Sequence, residues 1–424
     1  MAMRIDRLGD LGTAADVLRA VAGAAARHGL APPAALVGEW FGSAAIVAPT
    51  VSVRTVDPSA VFTAPPGQPG EAVGGGWIGY LSYPDTAADG RPPRIPEAAG
   101  GWTDSVLRLD RGGCWWHESL SGAPIATWVA DALSSAVTPS SYEIVWEEPD
   151  FDRHQAGVRA CLAAIGAGEV YQACVCTQFT GTLRGSSLEF FADAVTRTTP
   201  ARAAYVAGDW GAVASLSPEL FLRRCADLVV SSPIKGTLPL SAPPAALLAS
   251  AKDVAENIMI VDLVRNDLGR VADTGTVTVP ELLAVRNAPG VWHLVSTVAA
   301  AVRPELPNAA LLAASFPPAS VTGTPKTRAR ELLSEWEHRR RGVYCGTVGL
   351  ASPIAGTELN VAIRTVEFDA DGAAVLGVGG GITADSDPAA EWQECLHKAA
   401  PVIQTPFPGS LRSYPSERER STAS

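Results

Sequence analysis

Apolar and polar side chains alternate one by one in short runs through the middle of the chain: Glu169 to Phe179, Ala203 to Val206, Gly211 to Leu216, Leu220 to Arg223 and Leu228 to Ser231. A strand turns successive side chains to opposite faces, so these runs read as half-buried antiparallel strands. Helical spacing surrounds them. Ala14 to His28 repeats apolar residues at helical intervals. Asp152 to Ile165 does so with Val158, Cys161, Leu162 and Ile165 on the inner side and Phe151 packed just before it. A long helix is expected from Ala245 to Val271, with Glu256 near its midpoint. Antiparallel sheet combined with long helices places the chain in the α+β class.

The first 145 or so residues carry weaker signals. Ala44 to Val53 reads as a strand, Asp57 to Gly76 as a loop rich in Pro and Gly, and Gly74 to Tyr83 as a strand entered through a flexible turn. The glycines at 74 to 76 lack the spacing of a phosphate-binding loop and are read as sites of close backbone packing. The acidic stretch from Val145 to Asp152 suits a linker. The expected organisation is an N-terminal portion 1–145, a catalytic portion 146–406 and a disordered tail 407–424 rich in Ser, Arg, Glu and Pro.

A chain of 424 residues, 47% of them apolar, can bury a large core. Its net charge of −11 argues against nucleic acid or an acidic membrane as the main partner. Seven cysteines form no zinc-type pair of pairs; Cys174 and Cys176 would share one face of a strand and are read as reduced core residues. The N-terminus has no uninterrupted apolar signal region, and no stretch approaches the length of a membrane helix, so a cytoplasmic enzyme is expected.

Several residue types invite chemistry. Lys235 stands at the centre of Ser232-Pro-Ile-Lys-Gly-Thr237, read as a tight turn. A primary amine there becomes a nucleophile if desolvation or neighbouring positive charge exposes its free base; by itself, such a lysine is more often a solvated charge. Glu256, Glu391 and Glu394 lie on two helices and offer hard oxygen ligands of the kind Mg2+ prefers, although isolated helical glutamates are usually surface charges. Arg364 offers a planar fork to a carboxylate. The amides of Gly379, Gly380 and Gly381 can cradle an anion, or the triplet can be a strand kink.

Six blocks set these residues in a wider pattern. They are Ser-Leu-Ser-Pro-Glu (215 to 219), the segment 255 to 267, Val-Thr-Gly-Thr-Pro-Lys (321 to 326), Leu-Asn-Val-Ala-Ile-Arg-Thr (359 to 365), Gly-Gly-Gly-Ile-Thr-Ala-Asp-Ser (379 to 386) and the segment 390 to 399. In order and spacing they resemble the chorismate-utilising enzymes, from about Tyr142 to about Thr405. The resemblance implies antiparallel sheets packed as a sandwich, with the sheet of the N-terminal portion joined to the catalytic one. It implies that Glu256 and Glu394 hold Mg2+ on the ring carboxylate, with Glu391 acting through water. It assigns Arg364 and Tyr344 to the enolpyruvyl carboxylate, and Lys398, Thr237, Thr322 and the three glycines to substrate binding. Glu219 takes the role of the acid that protonates the leaving 4-hydroxyl, and His293 a position near the ring.

Two positions separate the branches of that family. Isochorismate and salicylate synthases carry a water-activating lysine after the Gly-Asp/Glu turn; here Tyr171-Gln172 stands there, and a glutamine cannot serve as a base. The motif Pro-Ile-Lys-Gly-Thr resembles aminodeoxychorismate synthases, whereas anthranilate synthases have alanine in place of the lysine. The implied reaction attaches Lys235 covalently to C2 before ammonia adds at C4. No glutamine amidotransferase segment is recognisable, which implies a separate glutaminase subunit. The rival readings are an anthranilate or 2-amino-2-deoxyisochorismate synthase, and a non-catalytic homologue that binds chorismate or a glutaminase.

Overall fold

The computed structural model describes residues 3–65, 70–86, 90–136 and 139–403. Two sheets dominate, and every strand pairing in them is antiparallel. The larger runs in order through Arg4–Gly9, Trp115–Ser119, Ser105–Leu109, Ser43–Ala48, Ala34–Trp40, Arg202–Gly208, Gly211–Ser217, Thr365–Asp369, Ala373–Ile382, Gln172–Gly185 and Gly323–Thr324, with Tyr142–Glu147 also paired to Gln172–Gly185. The smaller runs through Ile234–Pro239, Val291–Ala301, Leu228–Ser232, Leu220–Cys225, Gly356–Asn360, Thr347–Ser352, Gly76–Leu81, Ala98–Thr103 and Arg54–Thr55, with Thr278–Ala288 also paired to Val291–Ala301.

Side-chain alternation explains the layering. Leu36, Ile46, Val206 and Val213 of the first sheet meet Ile78, Tyr80, Val348 and Leu350 of the second in one buried cluster, which makes the pair a sandwich. Helices cover the outer faces. Val17, Leu18 and Val21 of Ala14–Arg27, Phe190 and Phe191 of Ser187–Thr198, and Trp392 and Leu396 of Pro388–Ile403 pack on the first sheet. Ile260, Val261, Val264 and Leu268 of Ala251–Gly269 belong to the cluster on the second. Both sheets draw strands from either side of residue 145: Ala34–Trp40 pairs with Arg202–Gly208, and Gly76–Leu81 with Thr347–Ser352. The 407–424 tail lies outside the described residues.

Four local expectations change. The acidic stretch 145–152, expected as a linker, ends the strand Tyr142–Glu147 and begins the helix Phe151–Gly166. The helix expected over 245–271 is two helices, Ala245–Ala249 and Ala251–Gly269, broken at Ser250. Ser250 has extended backbone and its hydroxyl accepts from the Asp253 N–H at 3.2 Å, so the serine starts a new helix where periodicity suggested continuity. Lys235 lies on a strand, Ile234–Pro239, and not in a free turn; Gly236, at φ +85°, sits where the register with Val291–Ala301 shifts. The strand expected over 44–53 ends at Ala48.

The outer edge of Gln172–Gly185 is paired by Gly323–Thr324 at one end and by Tyr142–Glu147 at the other, which leaves the middle open. Arg341 fills that gap. Its buried guanidinium donates to the Cys174 carbonyl at 2.6 Å, to the Val321 carbonyl at 2.7 Å and to both oxygens of Glu337, and it stacks on Tyr83. Glu337 in turn accepts from the Cys176 N–H at 3.0 Å. Arg341→Ala strips the counter-charge from partly buried Glu337 and the donor from the Cys174 and Val321 carbonyls, and is expected to lower stability by about 3–5 kcal/mol. Urea unfolding of the variant checks this, and a loss below about 1 kcal/mol would show that the edge does not depend on this pair.

Candidate active site

Gln172–Gly185 and Ala373–Ile382 pair with Cys174 opposite Gly381 and Cys176 opposite Gly379. None of Gly379, Gly380 and Gly381 has a positive φ, so no backbone conformation requires glycine there. Space does. A Cβ on Gly381 would overlap the Glu256 carboxylate and lie 2.6 Å from Gln172 Nε2 and 3.1 Å from Lys235 Nζ. One on Gly380 would lie 2.6 Å from Glu391 Oε2. Gly380 and Gly381 therefore mark a close approach of charged side chains to the strand backbone, while Gly379 lies against the Val175 carbonyl and Cys176 of the neighbouring strand.

Three ion pairs gather at this end of the strand. Lys235 Nζ lies 2.5 Å from Glu256 Oε1, Lys398 Nζ 2.7 Å from Glu394 Oε1, and Lys252 Nζ 3.2 Å from Glu391 Oε1. Helical spacing sets the geometry. Lys252 and Glu256 are one turn apart on Ala251–Gly269, and Glu391, Glu394 and Lys398 form a stripe along Pro388–Ile403. Lys398 also donates to the Gly379 carbonyl at 2.7 Å, and Gln172 Nε2 to Glu256 Oε1 at 3.4 Å. Burial alone would lower the basicity of Lys235, but Glu256 more than reverses this and raises its pKa, so the group is an ammonium in this state. Partial burial would likewise raise the Glu394 carboxyl, and the Lys398 ammonium beside it brings it below the usual range.

Whether Mg2+ suits these residues can be judged from the donors. Among the described residues no three acidic, histidine or cysteine side chains form a ready-made cage, since each glutamate here is matched with a lysine. Glu391 is nevertheless buried with Oε2 unpartnered, while its Oε1 accepts from the Ser386 hydroxyl at 2.7 Å. A buried, unsatisfied carboxylate oxygen calls for a cation or water. Carboxylate oxygens are the ligands that Mg2+ takes, so the set fits that ion provided the lysines give way.

Glu219 lies between Gly211–Ser217 and Leu220–Cys225 and is fully enclosed. Burial pushes its carboxyl up to about 7, against the Ser320 hydroxyl bonded to it and the charge of Lys235 nearby. His293 and Thr237 are register partners on neighbouring strands, with Thr237 Oγ1 2.9 Å from His293 Nδ1. Burial, and then Arg364, bring the His293 pKa down to about 4, so the ring is neutral near pH 7. Arg364 holds a left-handed backbone at φ +51°, which costs an arginine on the order of 1–3 kcal/mol. Its guanidinium is half-buried and has no side-chain partner among the described residues.

Tyr344 is buried with its ring against Gly377, two residues before the triplet, and also lines a cavity of about 410 Å3 at the open strand edge. Thr322 is buried as well, but its hydroxyl is 2.9 Å from the Pro318 carbonyl as donor, and its own carbonyl accepts from the Cys174 N–H. The fold thus joins Lys235, Glu256, Glu391, Glu394, Lys398 and the glycines directly. Glu219 is coupled to them through the fields of Lys235 and Lys398. His293, Thr237 and Arg364 form an adjoining group.

Comparison with known proteins fits this geometry. Residues 46–404 match the family model for chorismate binding enzyme. The chain belongs to that family. It is 35% identical over 355 residues to aminodeoxychorismate synthase component 1 of Salmonella typhimurium, an alignment covering 78% of this chain and 76% of that protein. It is 42% identical over 252 residues to the protein of the same name from Klebsiella aerogenes, covering 58% and 56% respectively, so the chain spans about half of that relative's length. Anthranilate synthase component I from Streptococcus pneumoniae superposes with a TM-score of 0.69 at 24% identity, over 88% of this chain and 91% of that one. The menaquinone-specific isochorismate synthase of Escherichia coli gives 0.70 at 17% identity, over 95% of each chain; these two likenesses establish the shared fold.

Three contributors to this candidate site escaped the sequence reading. Lys252 and Ser386 hold Glu391, and Ser320 holds Glu219. Lys252 was detectable, since it precedes Glu256 by one helical turn; the two serines come from loops and a short turn whose approach depends on tertiary structure.

A carboxyl at about 7 in the folded chain, against an ordinary 4.5, binds a proton more tightly folded than unfolded. Its stabilising contribution is therefore complete below about 4.5 and is lost as pH rises through about 7. Glu219→Gln, which does not titrate, is expected to gain on the order of 3 kcal/mol relative to the wild type between those limits. Chemical unfolding of both proteins across the range checks this; parallel curves would contradict the buried, proton-holding environment.

Proposed function

We propose that the chain is the synthase component of an aminodeoxychorismate synthase, which converts chorismate and ammonia to 4-amino-4-deoxychorismate and water. One observation carries the choice of branch: the site's central amine is Lys235, held among Glu256, Gln172 and the glycine strand, with glutamine where a water-activating lysine would stand. The relatives named aminodeoxychorismate synthase component 1 agree with this reading.

In the proposed reaction Arg364 and Tyr344 hold the enolpyruvyl carboxylate, and Lys398 with the Gly379 to Gly381 amides faces the ring carboxylate. Glu256 and Glu394 would hold Mg2+, with Glu391 acting through water. When bound, the ion neutralises the ring carboxylate and fixes its orientation. Lys235 leaves Glu256 and loses a proton to solvent, a loss that the nearby positive charge of Lys398 favours. Its Nζ forms a bond to C2, the ring double bonds shift, and the C4–O bond breaks as Glu219 delivers its proton, so the hydroxyl departs as water. Ammonia then bonds to C4, the double bonds shift back, and the C2–Nζ bond breaks. The new ammonium returns one proton to Glu219. His293, neutral and tied to Thr237, lies beside Arg364 and orients the arm side of the site. A separate glutamine amidotransferase subunit supplies the ammonia, and the cytoplasm is the expected compartment. Among the described residues no helix is long and apolar enough to cross a membrane.

The 2.5 Å pairing of Lys235 with Glu256 favours one second reading, in which the lysine is only a counter-ion and nitrogen enters at C2. Covalent trapping separates the two. Chorismate incubated with the protein and Mg2+ in the absence of ammonia is expected to add the mass of chorismate less water to the peptide containing Lys235. Lys235→Ala should abolish that adduct and slow formation of the 4-amino product by about 100-fold or more. A folded Lys235→Ala protein turning over at the wild-type rate would remove the covalent step.

A further inference from the structure

Lys252 has no part in the reaction described above, yet it is built into the same cluster. From one turn before Glu256 it reaches across to Pro388–Ile403, where its Nζ lies 3.2 Å from Glu391 Oε1. The Ser386 hydroxyl donates to that same oxygen at 2.7 Å. Glu391 is therefore gripped by one oxygen and presents the other, Oε2, buried, unpartnered and close to the position where a Cβ on Gly380 would stand. Lys252 is also the cluster's tie between the helices that carry Glu256 and Glu391.

Charge arithmetic gives this tie a consequence. Three carboxylates and three ammoniums leave the cluster with no net charge, so a divalent cation entering it meets opposing fields as well as ligands. Lys235 and Lys398 already have work to do on the substrate. Lys252 is two-fifths exposed, has Glu391 as its one ion-pair partner among the described residues, and has a short path to solvent when displaced. We propose that Lys252 is a positioning residue that holds Glu391 in place in the metal-free protein and competes with the divalent cation for it, so that Mg2+ enters by exchange with the Lys252 ammonium. The proposal rests on the reading that Glu256, Glu391 and Glu394 hold Mg2+.

Titrating the full chain with MgCl2 alone by isothermal calorimetry tests it, on the wild type, Lys252→Met, Lys252→Arg and Glu394→Gln. Lys252→Met keeps the length and packing of the side chain without its charge. It is expected to bind Mg2+ about threefold to fivefold more tightly than the wild type, as removal of one half-exposed competing charge should produce. Lys252→Arg should restore the wild-type affinity, and Glu394→Gln should weaken binding. The melting temperature of Lys252→Met should fall in the absence of Mg2+ and gain more than the wild type on its addition. If Glu394→Gln weakens binding but Lys252→Met binds no more tightly, the competition is wrong while the metal site stands. Equal tightening in Lys252→Met and Lys252→Arg would rule out charge as the cause. If Mg2+ binding is absent from every variant, or indifferent to Glu394, the metal site fails and the proposal falls with it.

Discussion

A carboxylate taken out of water must be given a counter-charge or a proton, and this fold uses both solutions within one site. Glu256, Glu391 and Glu394 each have a lysine. Glu219, deeper and only in the field of Lys235 and Lys398, keeps its proton to about pH 7. The difference sorts the residues chemically. Glu394 beside Lys398 is held below the usual carboxylate range and can take a cation, while Glu219, with no ion-pair partner, becomes an acid able to donate at neutral pH.

The architecture makes such a concentration of charge possible. Pro388–Ile403 covers the first sheet and Ala251–Gly269 the second, and both bring polar residues to the same end of Ala373–Ile382. The glycines there remove the side chains that would otherwise keep the two helices' carboxylates apart. Arg341 and Glu337 close the open middle of the neighbouring strand, so Cys174 and Cys176 are held without a continuous strand partner on that side. A further ion pair, with its arginine buried, thus supports the edge of the strand that lines the polar interior.

Much of this was legible in the sequence. Period-two runs marked the central strands, and the order of the Ser-Pro-Glu, Lys-Gly-Thr and Gly-Gly-Gly blocks named most of the residues that converge. What periodicity could not supply was the break at Ser250, because a capping serine inside an amphipathic pattern changes hydrogen bonding without interrupting hydrophobic spacing. Nor could it place Lys235 on a bulged strand, since a one-residue register shift is decided by the partner, here Val291–Ala301. The pairing of Lys235 with Glu256 was likewise invisible. The residues are 21 apart in sequence and belong to a strand and a helix that meet only in the folded chain.

In the proposed reaction a lysine blocks one ring carbon and so directs nitrogen to another. The most direct measurement is the position of that nitrogen. The purified chain, given chorismate, Mg2+ and 15N-labelled ammonium, should yield a product whose NMR spectrum places 15N on C4 with the enolpyruvyl arm retained. Nitrogen on C2, or release of anthranilate, would contradict the account and leave Lys235 as a counter-ion of Glu256.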